Sequence, residues 1–351
     1  MLGIGGAGLC GRLGEMGRDR WASRRAAAMP VSMFATMDEA KSEAASRGLD
    51  IIDLSIGSSD LSPPPEVLVA VREAIADPST YGYRLHACAR ELREAAANWY
   101  AGRYRYPVDP DTNVLVLIGA QEGFANLLLA TTDPGDTILL PDPAYPSYFG
   151  VVAIAGLDVT PLALEEQRGF LPDLSAVSTE AARKARAMVL NYPNNPTAAV
   201  ASEVFLREAV DFCIDNDILP IHDFPYVDMV YGGYEAPSIL ALPGGLEIGV
   251  ELFSCSKSFH MGGFRVGWAI GNADAVAALA RVKGAVDFNQ YLGIQRAAVA
   301  ALTQPREHLR RDAAVYESRR DALVTHLNRV GWETPLPQAS MYVWTRLPKG
   351  L

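Results

Sequence analysis

The sequence predicts an α/β fold with a mostly parallel sheet covered by helices. Seven short apolar runs between residues 114 and 270 alternate with amphipathic segments of helical length. Such alternation is typical of parallel sheets with helices on both faces. The predicted strands are residues 114–118, 137–140, 159–162, 188–191, 219–222, 251–255 and 266–270.

Three further elements are predicted before this sheet. Over residues 31–48 the spacing of Met33, Phe34, Met37 and Ala40 predicts a helix that ends at Gly48. A strand over 51–56 then leads into a loop rich in glycine, serine and proline. Two helices, at 65–76 and 89–101, complete this region.

The pattern becomes helical again after Gly271. A long charged stretch over 307–330 predicts a helix on the surface of the molecule. A final strand is predicted over 341–345, shortly before the sequence ends at Leu351.

Composition narrows the class of protein. The chain has 351 residues, of which 49% are hydrophobic, and a formal charge of −10, which disfavours nucleic acid and acidic membrane surfaces as partners. Its four cysteines form no C-x-x-C pair, so neither a zinc site nor a disulfide framework is indicated, and a cytoplasmic location is expected. No apolar run reaches the roughly 18 residues that span a bilayer.

Residues 1–29 differ from the rest in being rich in glycine and arginine, and we expect a disordered extension. The letters from Gly3 to Gly8 fit G-x-G-x-x-G, but only Met1 and Leu2 precede them. A dinucleotide site needs a strand before these glycines, so nucleotide binding is a distant alternative.

The most informative motif surrounds Lys257, in the run Ser-Cys-Ser-Lys-Ser-Phe-His-Met-Gly-Gly-Phe-Arg that begins at Ser254. It resembles the cofactor-lysine motif of fold-type I pyridoxal 5′-phosphate (PLP) enzymes, in particular the class I/II aminotransferases. The resemblance implies that Lys257 forms an imine with PLP, while Ser254 and Arg265 hold its phosphate. Taken alone, the motif also fits an ordinary surface lysine.

Two more motifs strengthen this resemblance. Asp223 and Tyr226 match the family's D-x-x-Y, which implies a carboxylate at the ring nitrogen and a phenol at the ring's phenolic oxygen. Asn195 would contact the same oxygen, and Tyr145 would stack on the ring. From the residues alone, Asp223 could instead cap a helix, and Asn195 could be a turn residue.

A phosphate cradle is predicted where the strand over 114–118 leads into a helix, because free backbone N–H groups at a helix N-terminus suit an anion. Ala120 and Gln121 would supply the backbone groups, with Ser254, Ser256 and Arg265 around them.

The resemblance also implies a homodimer with a shared active site. Tyr83 occupies the position of a tyrosine that reaches the phosphate in the neighbouring subunit. The alternative is a tyrosine in a polar loop.

The implied activity moves an amino group from an L-amino acid to a 2-oxo acid such as 2-oxoglutarate in two ping-pong halves. Lys257, Asp223 and Tyr226 are the expected catalytic residues. Residues 119–148 and 169–174 look most similar to LL-diaminopimelate, aspartate and alanine aminotransferases. The alternatives are a β-lyase or ACC synthase-like reaction on the same fold, and a PLP-binding pseudoenzyme.

Three departures from the family pattern bear on the site. Ala198 and Cys88 stand where the family has glycine. The sequence also ends before the arginine that binds the substrate carboxylate, which leaves the Gly57 backbone and Asn195 for that task.

The expected domain division follows from the same resemblance. Residues 30–60 form an N-terminal arm and part of the small domain, and 61–290 form the large PLP-binding domain. Residues 291–351 form a C-terminally truncated part of a smaller α+β domain, which would leave an open sheet edge.

Overall fold

All seven strands predicted for the sheet form, with ends that differ from the prediction by a few residues. They are β1 (Val114–Leu117), β2 (Thr137–Asp142), β3 (Asp158–Ala163), β4 (Ala185–Leu190), β5 (Leu219–Asp223), β6 (Val250–Ser254) and β7 (Gly267–Gly271). They lie in one sheet of order β1-β7-β6-β5-β4-β2-β3. The pairs from β3 to β6 are parallel, whereas β7 is antiparallel to both of its neighbours.

This structure is a computed structural model that describes residues 21–30, 32–83, 90–348 and 350. Most of the predicted extension, including the G-x-G-x-x-G letters, lies outside the described residues, and so does Cys88.

The helices predicted on either side of the sheet also form, and hydroxyl or amide side chains cap several of them. Ser32 caps the helix predicted over 31–48, and Ser202 and Asn272 cap two of those that cover the sheet. The helices are α1 (Arg24–Ala27), α2 (Met33–Ser46), α3 (Pro65–Ala76), α4 (Arg90–Tyr104), α5 (Ala120–Thr131), α6 (Ser147–Ala155), α7 (Thr179–Lys184), α8 (Glu203–Asn216), α9 (Gly245–Ile248), α10 (Cys255–Ser258), α11 (Ala273–Val286), α12 (Leu292–Leu302) and α13 (Arg306–Arg329).

The sheet separates two hydrophobic cores, because successive side chains of a strand point to opposite faces. In β1, Val114 and Val116 join the core shared with α4, α8 and α12. Leu115 and Leu117 join the core shared with α5, α6 and α11. Both faces of the sheet are therefore covered, and the ends of the strands are left for a site.

Two predicted strands are wrong. Residues 51–56 form no strand, and the side chains of Ile52 and Leu54 are 84% and 79% exposed. Residues 341–345 form no strand either, and one isolated bridge joins Val230 to Ala339 nearby. A strand needs a neighbour to bond its backbone, and neither segment finds one among the described residues. The domain division and the open sheet edge stay predictions.

Within the described parts of the chain, no helix is both long enough and apolar enough to cross a membrane.

Phe253 should be one of the residues on which this fold most depends. Its ring is fully buried, and the centre of this ring lies 5.3 Å from that of Trp99 and 5.6 Å from that of Trp268. We expect Phe253→Ala to lower the free energy of unfolding by about 3–5 kcal/mol, because it opens a cavity between aromatic rings. Urea unfolding measures this. Phe149→Ala, at a ring that is 39% exposed, is the control and should cost less than about 1 kcal/mol. Equal losses in the two variants would contradict this account of the core.

Candidate active site

A cleft of about 680 Å³ opens where β2, β4, β5 and β6 end. Parallel strands carry their carboxyl ends to one edge of a sheet, and open α/β sheets bind ligands there. Every predicted site residue except Tyr83 lines this cleft: Gly57, Ala120, Gln121, Tyr145, Asn195, Asp223, Tyr226, Ser254, Ser256, Lys257 and Arg265.

Lys257 lies in the short helix α10, directly after β6. The hydroxyl of Ser254 accepts a hydrogen bond from the Ser256 N–H at 3.1 Å and so caps this helix. The ammonium of Lys257 donates to the carbonyl oxygen of Gly57. Burial and the nearby Arg265 lower the pKa of Lys257 to about 8, against the opposing pull of Asp223. Part of the population therefore carries an uncharged, nucleophilic amine near neutral pH.

Asp223 is the last residue of β5 and faces the same cleft. The Tyr148 hydroxyl donates to Oδ2 at 2.5 Å, and the Asn191 amide donates to the backbone oxygen at 2.7 Å. The other carboxylate oxygen, Oδ1, is buried and has no hydrogen-bond partner. Burial raises the pKa of Asp223 to about 6, although Tyr148, His222 and Lys257 act in the opposite direction. An unpartnered buried oxygen of this kind fits a ligand that brings a positively charged N–H.

Two tyrosines and an amide form a third side of the cleft. The hydroxyls of Tyr226 and Tyr342 are 2.6 Å apart, and the Asn195 amide donates to the Tyr226 hydroxyl at 3.5 Å. The ammonium of Lys257 lies 5.7 Å from the centre of the Tyr226 ring. Burial raises the pKa of Tyr226 well above its usual value, so this residue stays a phenol that can donate a hydrogen bond.

The guanidinium of Arg265 lies close to the N-terminus of α5, and both line the cleft. Gly119 has φ +87°, and a β-carbon there would lie 2.5 Å from Nη2 of Arg265. A β-carbon on Gly267 would lie 3.3 Å from the backbone nitrogen of Ala120 and 2.4 Å from the Phe253 carbonyl oxygen. Helix N–H groups and a guanidinium together bind phosphate oxygens well.

Tyr145 lies on the cleft wall between these groups. Its hydroxyl donates to Oε1 of Gln121 at 3.1 Å, and its ring meets that of Tyr148 edge to face at 5.6 Å. Gln121 is thus held by its side chain as well as by its place in α5.

Tyr83 is 88% exposed and does not line the cleft of its own chain, so its role at the phosphate of a neighbouring subunit stays a prediction. Ala198, which stands where the family has glycine, adopts φ +60°, the left-handed conformation that glycine favours.

Three site residues were not predicted from the sequence: Tyr148, Asn191 and Tyr342. Asn191 was assigned to the end of a strand, which is where site residues gather, so a signal for it existed. Tyr148 lies three residues after Tyr145 at the start of α6, and that spacing could also have indicated a shared face. Tyr342 reaches the cleft from the far end of the sequence, which no local pattern reveals.

The covered α/β sheet, with a buried amine and a buried carboxylate at the ends of its strands, is the fold of a fold-type I PLP enzyme. The profile of the family described as aminotransferase class I and II matches residues 49–350. The chain belongs to this family and is a PLP-dependent aminotransferase.

Individual relatives of this chain are also aminotransferases. The LL-diaminopimelate aminotransferase of Gloeobacter violaceus is 44% identical over 92% of this chain and 82% of its own length. The glutamate-pyruvate aminotransferase AlaC of Escherichia coli is 39% identical over 92% of this chain and 78% of its own. Among solved structures, a probable N-succinyldiaminopimelate aminotransferase from Thermus thermophilus has a TM-score of 0.86 at 50% identity, covering 91% of this chain and 86% of that one.

Asp223 should destabilise the protein when no cofactor is bound. Its pKa rises from 3.8 in the unfolded chain to about 6 in the fold. A carboxyl group with a raised pKa stabilises the fold when it is protonated, and this contribution is complete below pH 3.8. The contribution is lost as the pH rises through about 6. Asp223→Asn should therefore stabilise the cofactor-free protein by about 3 kcal/mol at pH 8, and by less at pH 5.

Urea unfolding at both pH values measures this difference. The control is Asp142→Asn, at an exposed aspartate that ends β2, which should change stability little at either pH. A gain that is the same at both pH values would contradict a raised pKa for Asp223.

Proposed function

We propose that this cleft transfers an amino group from an L-amino acid to a 2-oxo acid such as 2-oxoglutarate, with Lys257 as the cofactor lysine. The observation that carries the proposal is a buried amine, with its pKa lowered to about 8, in the same cleft as the unpartnered oxygen of Asp223. When bound, PLP supplies an electron sink beside the α-carbon of the amino acid.

Asp223 would accept the ring N–H through Oδ1, the oxygen that has no partner. Its other oxygen is already fixed by Tyr148, so the carboxylate is oriented before any ligand arrives. This orientation favours one position for the ring nitrogen. Tyr148 thus acts on the cofactor through Asp223.

Lys257 would move the proton at the α-carbon. A group whose pKa lies near the working pH can both accept and donate a proton, which the lowered pKa of Lys257 allows. Asp223, Tyr226 and Lys257 form the proposed catalytic set.

The remaining residues would hold the two ends of the cofactor. Tyr145 would stack on the ring, and Asn195 and Tyr226 would donate to its phenolic oxygen. At the other end, the phosphate would be bound by the following residues: Ala120, Gln121, Ser254, Ser256 and Arg265.

The substrate carboxylate would bind the Gly57 backbone and Asn195. Among the described residues that line the cleft, Arg265 is the one arginine, and we assign it to the phosphate. The names of the relatives suggest diaminopimelate-type compounds or glutamate as amino donors and pyruvate as an oxo acid.

The experiment is to load the purified chain with PLP, reduce it with borohydride and locate the attached cofactor by peptide mass spectrometry. We expect attachment at Lys257. Lys257→Ala should abolish it and lower transamination at least about a thousandfold. Lys184→Ala, at an exposed lysine of α7, is the matched control. Attachment at another lysine would contradict the assignment, and ammonia release without an oxo acid would favour a lyase.

We also propose a cytoplasmic homodimer in which Tyr83 contacts the phosphate bound by the partner subunit. Its 88% exposed side chain is available for such a contact. We expect Lys257→Ala and Tyr83→Phe each to lower the transamination activity. Mixing the two variant chains should restore activity, because one of the two sites in a mixed dimer has both Lys257 and Tyr83. If mixing restores none, Tyr83 does not act across the interface.

A further inference from the structure

A loop, Gly57 to Leu61, borders the cleft, and its first two residues line the cleft together with Lys257. The carbonyl oxygen of Gly57 accepts a hydrogen bond from the Lys257 ammonium. A β-carbon on Gly57 would lie 2.5 Å from the Tyr342 hydroxyl, so the backbone of the loop closely approaches the site. The position of this loop therefore decides where its backbone groups meet a substrate.

The side chain of Ser59 anchors this loop. Its oxygen accepts hydrogen bonds from the Tyr316 hydroxyl at 2.6 Å and from the Leu61 N–H at 3.1 Å. It also lies 2.7 Å from Nδ1 of His260. A serine oxygen has two lone pairs and one hydrogen. Because two donors occupy the lone pairs, the hydrogen of Ser59 must point to Nδ1 of His260.

This assignment fixes the state of His260. Its Nδ1 accepts a hydrogen bond, so in the neutral ring Nε2 carries the hydrogen and donates to Oδ2 of Asp312 at 3.1 Å. Burial lowers the pKa of His260, which also favours the neutral ring. The ring thus joins the loop to Asp312 in α13 by one accepted and one donated hydrogen bond.

The charged neighbours are consistent with a neutral His260. Asp312 also lies 3.3 Å from Nε of Arg311, so it has a cationic partner of its own. Asp60 is bound by Arg319 at 2.7 and 2.8 Å. Neither carboxylate therefore depends on a charged His260.

His260 also has an unusual backbone conformation. Its φ is +57°, in the left-handed region that residues other than glycine rarely adopt, and only 2% of its side chain is exposed. It lies three residues after Lys257 in the same segment. The backbone thus turns the ring away from its own segment towards Ser59 and α13, a strained arrangement of the kind that often accompanies function.

We propose that His260 is a positioning residue. By accepting a hydrogen bond from Ser59, it holds the Gly57 loop at a fixed distance from the segment that carries Lys257. The inference rests on the proposed function in one respect, the binding of the substrate carboxylate by the Gly57 backbone. Loss of the hydrogen bond should therefore weaken amino acid binding more than it slows the chemical step.

The test compares His260→Ala, Ser59→Ala and His260→Asn. Asparagine offers an acceptor oxygen near the place of Nδ1 and tolerates a positive φ better than alanine does. The matched control is Arg319→Ala, which removes another contact between the same loop and α13, at an arginine that is 50% exposed.

The first readout is hydrogen exchange of the backbone over residues 55–61 in the full chain without substrate. We expect exchange to be about tenfold faster in His260→Ala, the factor typical of one lost hydrogen bond, and at least as fast in Ser59→Ala, which loses all three hydrogen bonds of the Ser59 oxygen. His260→Asn and Arg319→Ala should stay within about threefold of the unchanged protein. This readout needs no activity, so it tests the contact even if the proposed function fails.

The second readout is steady-state kinetics of the PLP-loaded enzyme. The KM for the amino donor should rise about tenfold in His260→Ala while kcat changes less than about twofold, and His260→Asn should restore most of the loss. Unchanged exchange in His260→Ala would overturn the inference, and so would a fall in kcat at constant KM. If His260→Asn is as defective as His260→Ala, the hydrogen bond from Ser59 is not the cause and the inference also fails.

Discussion

The buried carboxylate of Asp223 is the constraint on which the site depends. An ionised group in the interior is costly unless it is paired, and one of its oxygens has no partner in the protein. The fold tolerates this cost because β5 is held on both sides by parallel strands and because Tyr148 and Asn191 fix the residue at its end. The unpartnered oxygen thus costs stability, and a positively charged N–H placed beside it would recover that cost.

The topology of the sheet brings the other groups to that carboxylate. The chain leaves β6 at Ser254, passes Lys257 and Arg265, and returns through the antiparallel β7, in which Gly267 pairs with Ser254. Because this excursion begins and ends at one edge of the sheet, the lysine and the arginine lie in the same cleft. β1 lies on the other side of β7 and brings the N-terminus of α5 to Arg265.

Much of this arrangement was predictable because its signals are local. Apolar runs bounded by turns indicated all seven strands of the sheet, and the residues after four of them supplied Asp223, Asn195, Lys257 and Ala120. The strands over 51–56 and 341–345 were predicted wrongly for the same reason. A local pattern records a tendency to be extended, but a partner elsewhere in the chain decides whether a strand forms.

By itself, the sequence determined the alternation of strands and helices and the residues at the strand ends, since both depend on neighbours along the chain. Its resemblance to a known family implied the cofactor class. Only the tertiary structure decided which groups meet. Tyr342 reaches Tyr226, and Ser59 reaches His260, across separations of 116 and 201 residues. Burial was also decided there, and with it the lowered pKa of Lys257 and the raised pKa of Asp223, because removal of water depends on the whole fold and not on the adjacent residues.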